Sequence, residues 1–289
     1  MVNLVAAQKP LLHGLMKLAG VRPYTVELEP GTVMTFWVPS ETISKAKRKN
    51  DLNPKLVAKP RKPVVVLVHG FSSEGIVTWQ FQVGALTKKY AVYVPDLLFF
   101  GGSITDKPDR SPAFQAECLA AGLKKLGVEK CSVVGFSYGG MVAFKMAELY
   151  HELVEAIVIS GSILAKMDSI IETTLQELGF SSSSELLLPT SVKGLKALLS
   201  VAAHKKLWFP DRLHKDFLEV MFTNRKEQAE LLEGLVISNK DITIPQFQQV
   251  WLEIALAKKN KEMGEEKKGA VIDRPLKKKK IKRIHLLWG

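Results

Sequence analysis

Cysteine is scarce in this sequence: two residues in 289, Cys118 and Cys131. That number excludes a disulfide-stapled scaffold. Both fall in segments that read as buried helix and buried strand, which points to reduced thiols and a cytosolic setting. Long apolar runs are also lacking. The two longest, around 63–71 and 131–144, are broken by Gly, His and Ser, so neither has the length to cross a bilayer. The first twenty residues lack the shape of a secretory signal, because Gln8, Lys9 and Pro10 interrupt the apolar stretch. No His, Cys and Asp cluster shows metal-ligand spacing, and no internal repeat is evident.

Acidic residues are in the minority, 29 against 41 Lys and Arg, for a net charge of +12. The excess is local. Residues 41–62 hold eight basic against two acidic residues, and residues 250–289 hold twelve against five. The remainder is therefore close to neutral. Basic runs such as 277–283 can serve nucleic acid or membrane surfaces. Here no aromatic residues interleave the charges and no nucleic-acid module is visible, so they read as a solvated loop and tail. No nucleic-acid partner is expected.

What is present is ordinary globular composition, 46% hydrophobic and 24% charged, enough for one sizeable core. Leu4, Leu11, Leu15 and Leu18 recur on one helical face. Such a helix can lie on a membrane surface as a peripheral contact, or cover the protein's own apolar surface. The second reading is slightly preferred. Tyr24–Pro39 reads as a hairpin turning at Pro30-Gly31. The run VVVLV that follows the basic loop has no polar alternation, as a strand buried on both faces would. Helix and strand patterns then alternate: 77–89, AVYVPD, 112–126, KCSVVGF, a helix after Ser137, and EAIVISGS. That alternation predicts an α/β fold, a mostly parallel sheet with helices on both faces.

After Ser162 the pattern becomes helical. The expected organisation is a core over 1–162, a helical cap over 163–248, a Lys- and Glu-rich, disordered segment over 249–280, and a further core strand over 281–289.

The strongest chemical signal is Gly135-Phe136-Ser137-Tyr138-Gly139. It is G-x-S-x-G framed by a buried strand and a helix, the context of a nucleophile elbow. Residues two before and two after the serine must be small, which Gly135 and Gly139 satisfy. The serine is forced into a strained conformation with Oγ clear of the sheet. His69-Gly70-Phe71 ends the VVVLV strand. The loop there supplies one backbone N–H to an oxyanion hole and the residue after the nucleophile supplies the other, so Phe71 and Tyr138 are the candidate donors. His69 is read as an imidazole bonded within its own turn rather than a catalytic base. Asp96, in PDLLFFGGS, is read as structural.

Together HGF, PDL…GGS, GFSYGG and FTNRKEQAELLEGLVISNKD resemble the α/β-hydrolase family, over roughly residues 20–248 and 281–289. The chain is similar to plant-type members with a helical cap, of the monoacylglycerol lipase and carbon–carbon bond hydrolase kind. The resemblance implies a Ser-Asp-His triad, a small-molecule ester or acyl substrate, water as co-substrate and no cofactor. Ser137 matches the nucleophile. A serine at this position sets the chain apart from the epoxide-hydrolase and dehalogenase branches, which carry Asp there. In the family a strand like IHLLWG precedes the loop bearing the Asp, and the His comes later still. Neither has a counterpart here, so the expectation is a truncated, impaired catalyst lacking the last strand and helix; an unspliced transcript would produce both the foreign segment and the early stop. His204 and His214 in the cap and His285 in the final strand are the other histidines weighed, and none is expected to replace the missing base.

Overall fold

The structure is a computed structural model that describes residues 2–44, 58–162, 179–202, 208–235, 252–256 and 283–288. Helix α1 (Leu4–Leu18) starts at Asn3, whose side chain accepts the Ala6 N–H and supplies the cap the first turn needs. Strands β1 (Val21–Glu29) and β2 (Thr32–Pro39) form the expected hairpin, with Gly31 in a left-handed conformation at the turn. Then follow β3 (Val64–Val68), α2 (Gly75–Leu86), β4 (Ala91–Pro95), a two-residue strand β5 (Ile104–Thr105), α3 (Pro112–Lys125), β6 (Cys131–Phe136), α4 (Tyr138–Leu149) and β7 (Val154–Ser160).

With β8 (Leu252–Leu256) and β9 (Arg283–Trp288), the sheet order is β1-β2-β4-β3-β6-β7-β9-β8, with β5 paired to β2. From β4 through β8 every pairing is parallel, while β1 and β2 add an antiparallel edge. β3 is buried at all five positions, as its unbroken apolar run requires. Its residues divide by parity. Val64, Val66 and Val68 join one core with α3 and α4; Val65 and Leu67 join the other with Trp79 and Val83 of α2 and Met16 of α1. A sheet with an apolar layer on each face is the α/β architecture the sequence predicts.

Among the described residues beyond Gly179 there are four helices: α5 (Ser183–Leu187), α6 (Val192–Ala202), α7 (Asp211–Met221) and α8 (Arg225–Glu233). Of the helical stretch expected after Ser162, residues 163–178 lie outside the described residues. α8 docks on the loop after β4: Asn224 and Gln228 both donate to the Phe99 carbonyl, each at 3.1 Å, and Arg110 pairs with Glu230 at 2.8 Å.

Two expectations differ from what is observed. Leu252–Leu256 lies inside the segment read as disordered, yet it forms strand β8, paired with β9 (Arg283–Trp288). LEIAL alternates Leu252, Ile254 and Leu256 with Glu253 and Ala255, a short period-two pattern masked by its Lys-rich surroundings. The rest of that segment lies outside the described residues. The second difference concerns α1. The Leu4, Leu11, Leu15 and Leu18 face does not cover the protein; it points outward. A different face, Val5, Leu12, Met16 and Ala19, packs on the cores.

Candidate active site

The ends of β3, β4 and β6 bring three loops together. Ser137 sits between β6 and α4 with φ 52° and ψ −121°, a combination that non-glycine residues rarely adopt. The glycines around it explain how the chain turns so tightly. A Cβ on Gly135 would strike the Gly139 carbonyl and Gly140; a Cβ on Gly139 would strike the carbonyl oxygens of Val68 and His69. The helix therefore starts hard against the end of β3. Gly70 completes the approach, since a Cβ there would lie 3.3 Å from that of Ser137. The Ser137 N–H is anchored to the Ser160 carbonyl at 3.0 Å, which ties the turn to β7.

Phe71 and Tyr138, one from each loop, meet edge to face with ring centroids 5.7 Å apart, and Phe71 meets Phe100 in the same way at 5.3 Å. Both side chains are buried. Tyr138 opens α4, and an N–H in a helix's first turn has no intrahelical acceptor. Burial pushes the Tyr138 phenol far above its ordinary range, so its ring acts as an apolar surface.

His69 is fully buried and both its ring nitrogens are engaged. Nε2 accepts the Leu97 N–H at 2.9 Å, which puts the proton on Nδ1, and Nδ1 donates to the Gly70 carbonyl at 2.7 Å. Burial lowers its pKa to about 4. A neutral imidazole with no spare nitrogen holds a turn and does not take protons from a neighbour. Asp96 accepts the Gly75 N–H at 2.8 Å, at the first turn of α2, and burial raises its carboxyl to about 7. Gly101, at φ 55°, leaves the space the carboxylate fills. His69 and Asp96 thus pin the loop after β3 to the loop after β4.

Other histidines lie elsewhere. His13 of α1 stacks edge-on against Trp37, and His214 of α7 bonds the Pro210 carbonyl. His151 follows α4, about 20 Å along that helix from its serine end. His204 lies outside the described residues, and His285 is on β9. Sequence reading missed Gly140, whose Cβ would collide with Ser162, and Gly75, whose N–H meets Asp96. The doubled glycine of GFSYGG was a signal for the first. Nothing in the sequence linked Gly75 to Asp96, 21 residues away. Among the described residues no group of His, Cys, Asp and Glu is arranged to hold a metal ion.

A mostly parallel sheet with helices on both faces, and a strained Ser turn between strand and helix, make up an alpha/beta hydrolase fold. The family model for the alpha/beta hydrolase fold matches residues 63–184. Over 102 residues the chain is 32% identical to epoxide hydrolase 4 of Mus musculus, a match covering 34% of this chain and 28% of that protein. Over 101 residues it is 35% identical to a pimeloyl-[acyl-carrier protein] methyl ester esterase of Aeromonas hydrophila, covering 35% and 38%. These matches span well under half the length of either relative. Among solved structures, a meta-cleavage product hydrolase of Pseudomonas fluorescens IP01 superposes with a TM-score of 0.57 at 18% identity, covering 94% of this chain and 90% of that one. An epoxide hydrolase and an ester-cleaving enzyme both match at a similar level. Overall similarity therefore does not separate the branches, and the serine at 137 remains the residue that bears on that choice.

Proposed function

We propose that the protein is a serine hydrolase that cleaves a carboxylic ester or related acyl bond of a small, largely apolar substrate. Ser137 Oγ attacks the carbonyl carbon and gives up its proton to a base. The alcohol leaves with a proton, and water then releases the acid from the acyl-serine. The backbone N–H groups of Phe71 and Tyr138 hold the oxyanion that forms in each step. The observation that carries this reading is the Ser137 backbone conformation, held by glycines at 135 and 139 against the end of β3. The aromatic cluster of Phe71, Phe100 and Tyr138 suits an acyl chain or an aromatic ester.

One observation favours a second reading, a hydrolase fold that binds an apolar ligand or a protein without turnover. The histidine in the nearest loop, His69, is fully committed to Leu97 and Gly70. Hydrolysis of a short activated ester, with a Ser137→Ala control, separates the two. Turnover that vanishes in the variant supports the hydrolase; two folded and equally inert proteins support the binder.

A further inference from the structure

We propose that Asn224 and Gln228 are positioning residues for the Phe71 N–H, one of the two oxyanion donors, and act on it through Phe99 and Phe100. The inference rests on the serine hydrolase reading above. Phe99 has φ 72°, in the left-handed region that an aromatic residue seldom adopts. Its neighbours Leu97 and Leu98 are held by the end of β3 and by α3. His69 accepts the Leu97 N–H, and Gln115 bonds both the N–H and the carbonyl of Leu98. The Phe99 carbonyl is held by a different element. Asn224 Nδ2 and Gln228 Nε2 both donate to it at 3.1 Å, which fills its two lone pairs. Arg110, paired with Glu230 of α8, lies over the Phe99 ring at 4.4 Å.

From Phe99 the contacts reach the site in two steps. The Phe100 ring meets His69 edge to face at 5.1 Å and Phe71 at 5.3 Å, and Phe71 meets Tyr138 at 5.7 Å. All four side chains are buried, so in a close-packed interior none shifts alone. With the Phe99 carbonyl released, Phe99 can relax toward negative φ, swing Phe100 and free the backbone at Phe71. The seat of α8 does not by itself require the two amides. Leu231 and Leu232 are buried, and Glu230 pairs with Arg110. Asn224 stands at the N-cap of α8, yet its side chain caps nothing. The Gln228 amide is buried, and its oxygen has no partner among the described residues. A residue needed only for packing would be apolar there, because an unpaired buried amide oxygen is costly. The bond that Gln228 does make is the one to Phe99.

The test compares the full chain with the double variant Asn224→Ala, Gln228→Met, in which methionine keeps the length of the glutamine and loses the donor. Val83→Ala, in the apolar layer on the other face of the sheet, controls for lowered stability. Circular dichroism checks that both are folded. On a short activated ester the double variant should lose about tenfold in kcat with KM within about twofold, and Val83→Ala should keep both. As a second readout, para-fluorophenylalanine placed at Phe71 reports on that ring without any turnover. Its fluorine resonance should move or split in the double variant and stay in place in Val83→Ala. An unchanged kcat, a rise in KM alone, an equal loss in Val83→Ala, or an unmoved resonance would overturn the proposal. If the wild-type chain is as inert as Ser137→Ala, the hydrolase reading fails instead. The resonance then decides alone: a shift confined to the double variant supports the placing of Phe71 by α8, and no shift overturns it.

Discussion

The Nε2 atom of His69 accepts the backbone N–H of Leu97 at 2.9 Å, joining the end of β3 to the loop after β4. The bond fixes the imidazole as neutral and spends its one acceptor. Next to it, Asp96 holds the start of α2. Two buried titratable groups therefore brace the loop that carries Phe71, and they respond to pH in opposite directions.

For Asp96 the folded pKa, about 7, lies above the ordinary carboxyl value near 4, so the folded state binds the extra proton in between. Stability from this group falls as pH rises from about 4 to 7. For His69 the folded pKa of about 4 lies below its ordinary 6.5, so stability rises with pH over about 4 to 6.5. Each effect is on the order of 3 kcal/mol, and in the shared window they oppose each other. Asp96→Asn should leave a stability that climbs with pH, and His69→Gln one that falls. Urea midpoints measured from pH 4 to 7.5 check both; parallel profiles in the two variants would contradict the linkage.

At Ser137 the backbone carries strain of about 1–3 kcal/mol that a glycine would not feel. Ser137→Gly should therefore be more stable than Ser137→Ala by about 1 kcal/mol in denaturant titration, after the entropy cost of glycine. Both variants should lose any ester turnover and any labelling by a fluorophosphonate.

Gly139→Ala should destabilise by about 3 kcal/mol, because its Cβ meets the rigid carbonyls of Val68 and His69. Thermal unfolding measures the loss. A shift of less than about 1 kcal/mol would mean that the elbow can open.

Gln228→Ala removes one of two donors to the Phe99 carbonyl. Asn224 still donates there, so the loss should be modest, about 1 kcal/mol. The Asn224→Ala, Gln228→Ala pair should cost more than the sum of the single changes, since only then is the buried carbonyl left without either donor.

The β-branched run of β3 and the GFSYGG turn were legible from the sequence because each is local. A strand buried on both faces has no polar alternation, and a sharp strand–helix turn admits only small residues nearby. The pairing of Asp96 with Gly75, and of His69 with Leu97, was not legible. Those partners lie 21 and 28 residues apart and meet only when β3 and β4 lie side by side. β8 was missed because five alternating residues are too few to stand out from a charged background.

The leucine stripe shows the same division. The sequence alone determined that Leu4, Leu11, Leu15 and Leu18 share one side of a helix, since helical geometry sets that spacing. Which side faces water was a tertiary decision. Val5, Leu12, Met16 and Ala19 form a second apolar face, and the shape of the two cores took that one inward. Periodicity places residues relative to one another; only packing against distant elements chooses between two apolar faces.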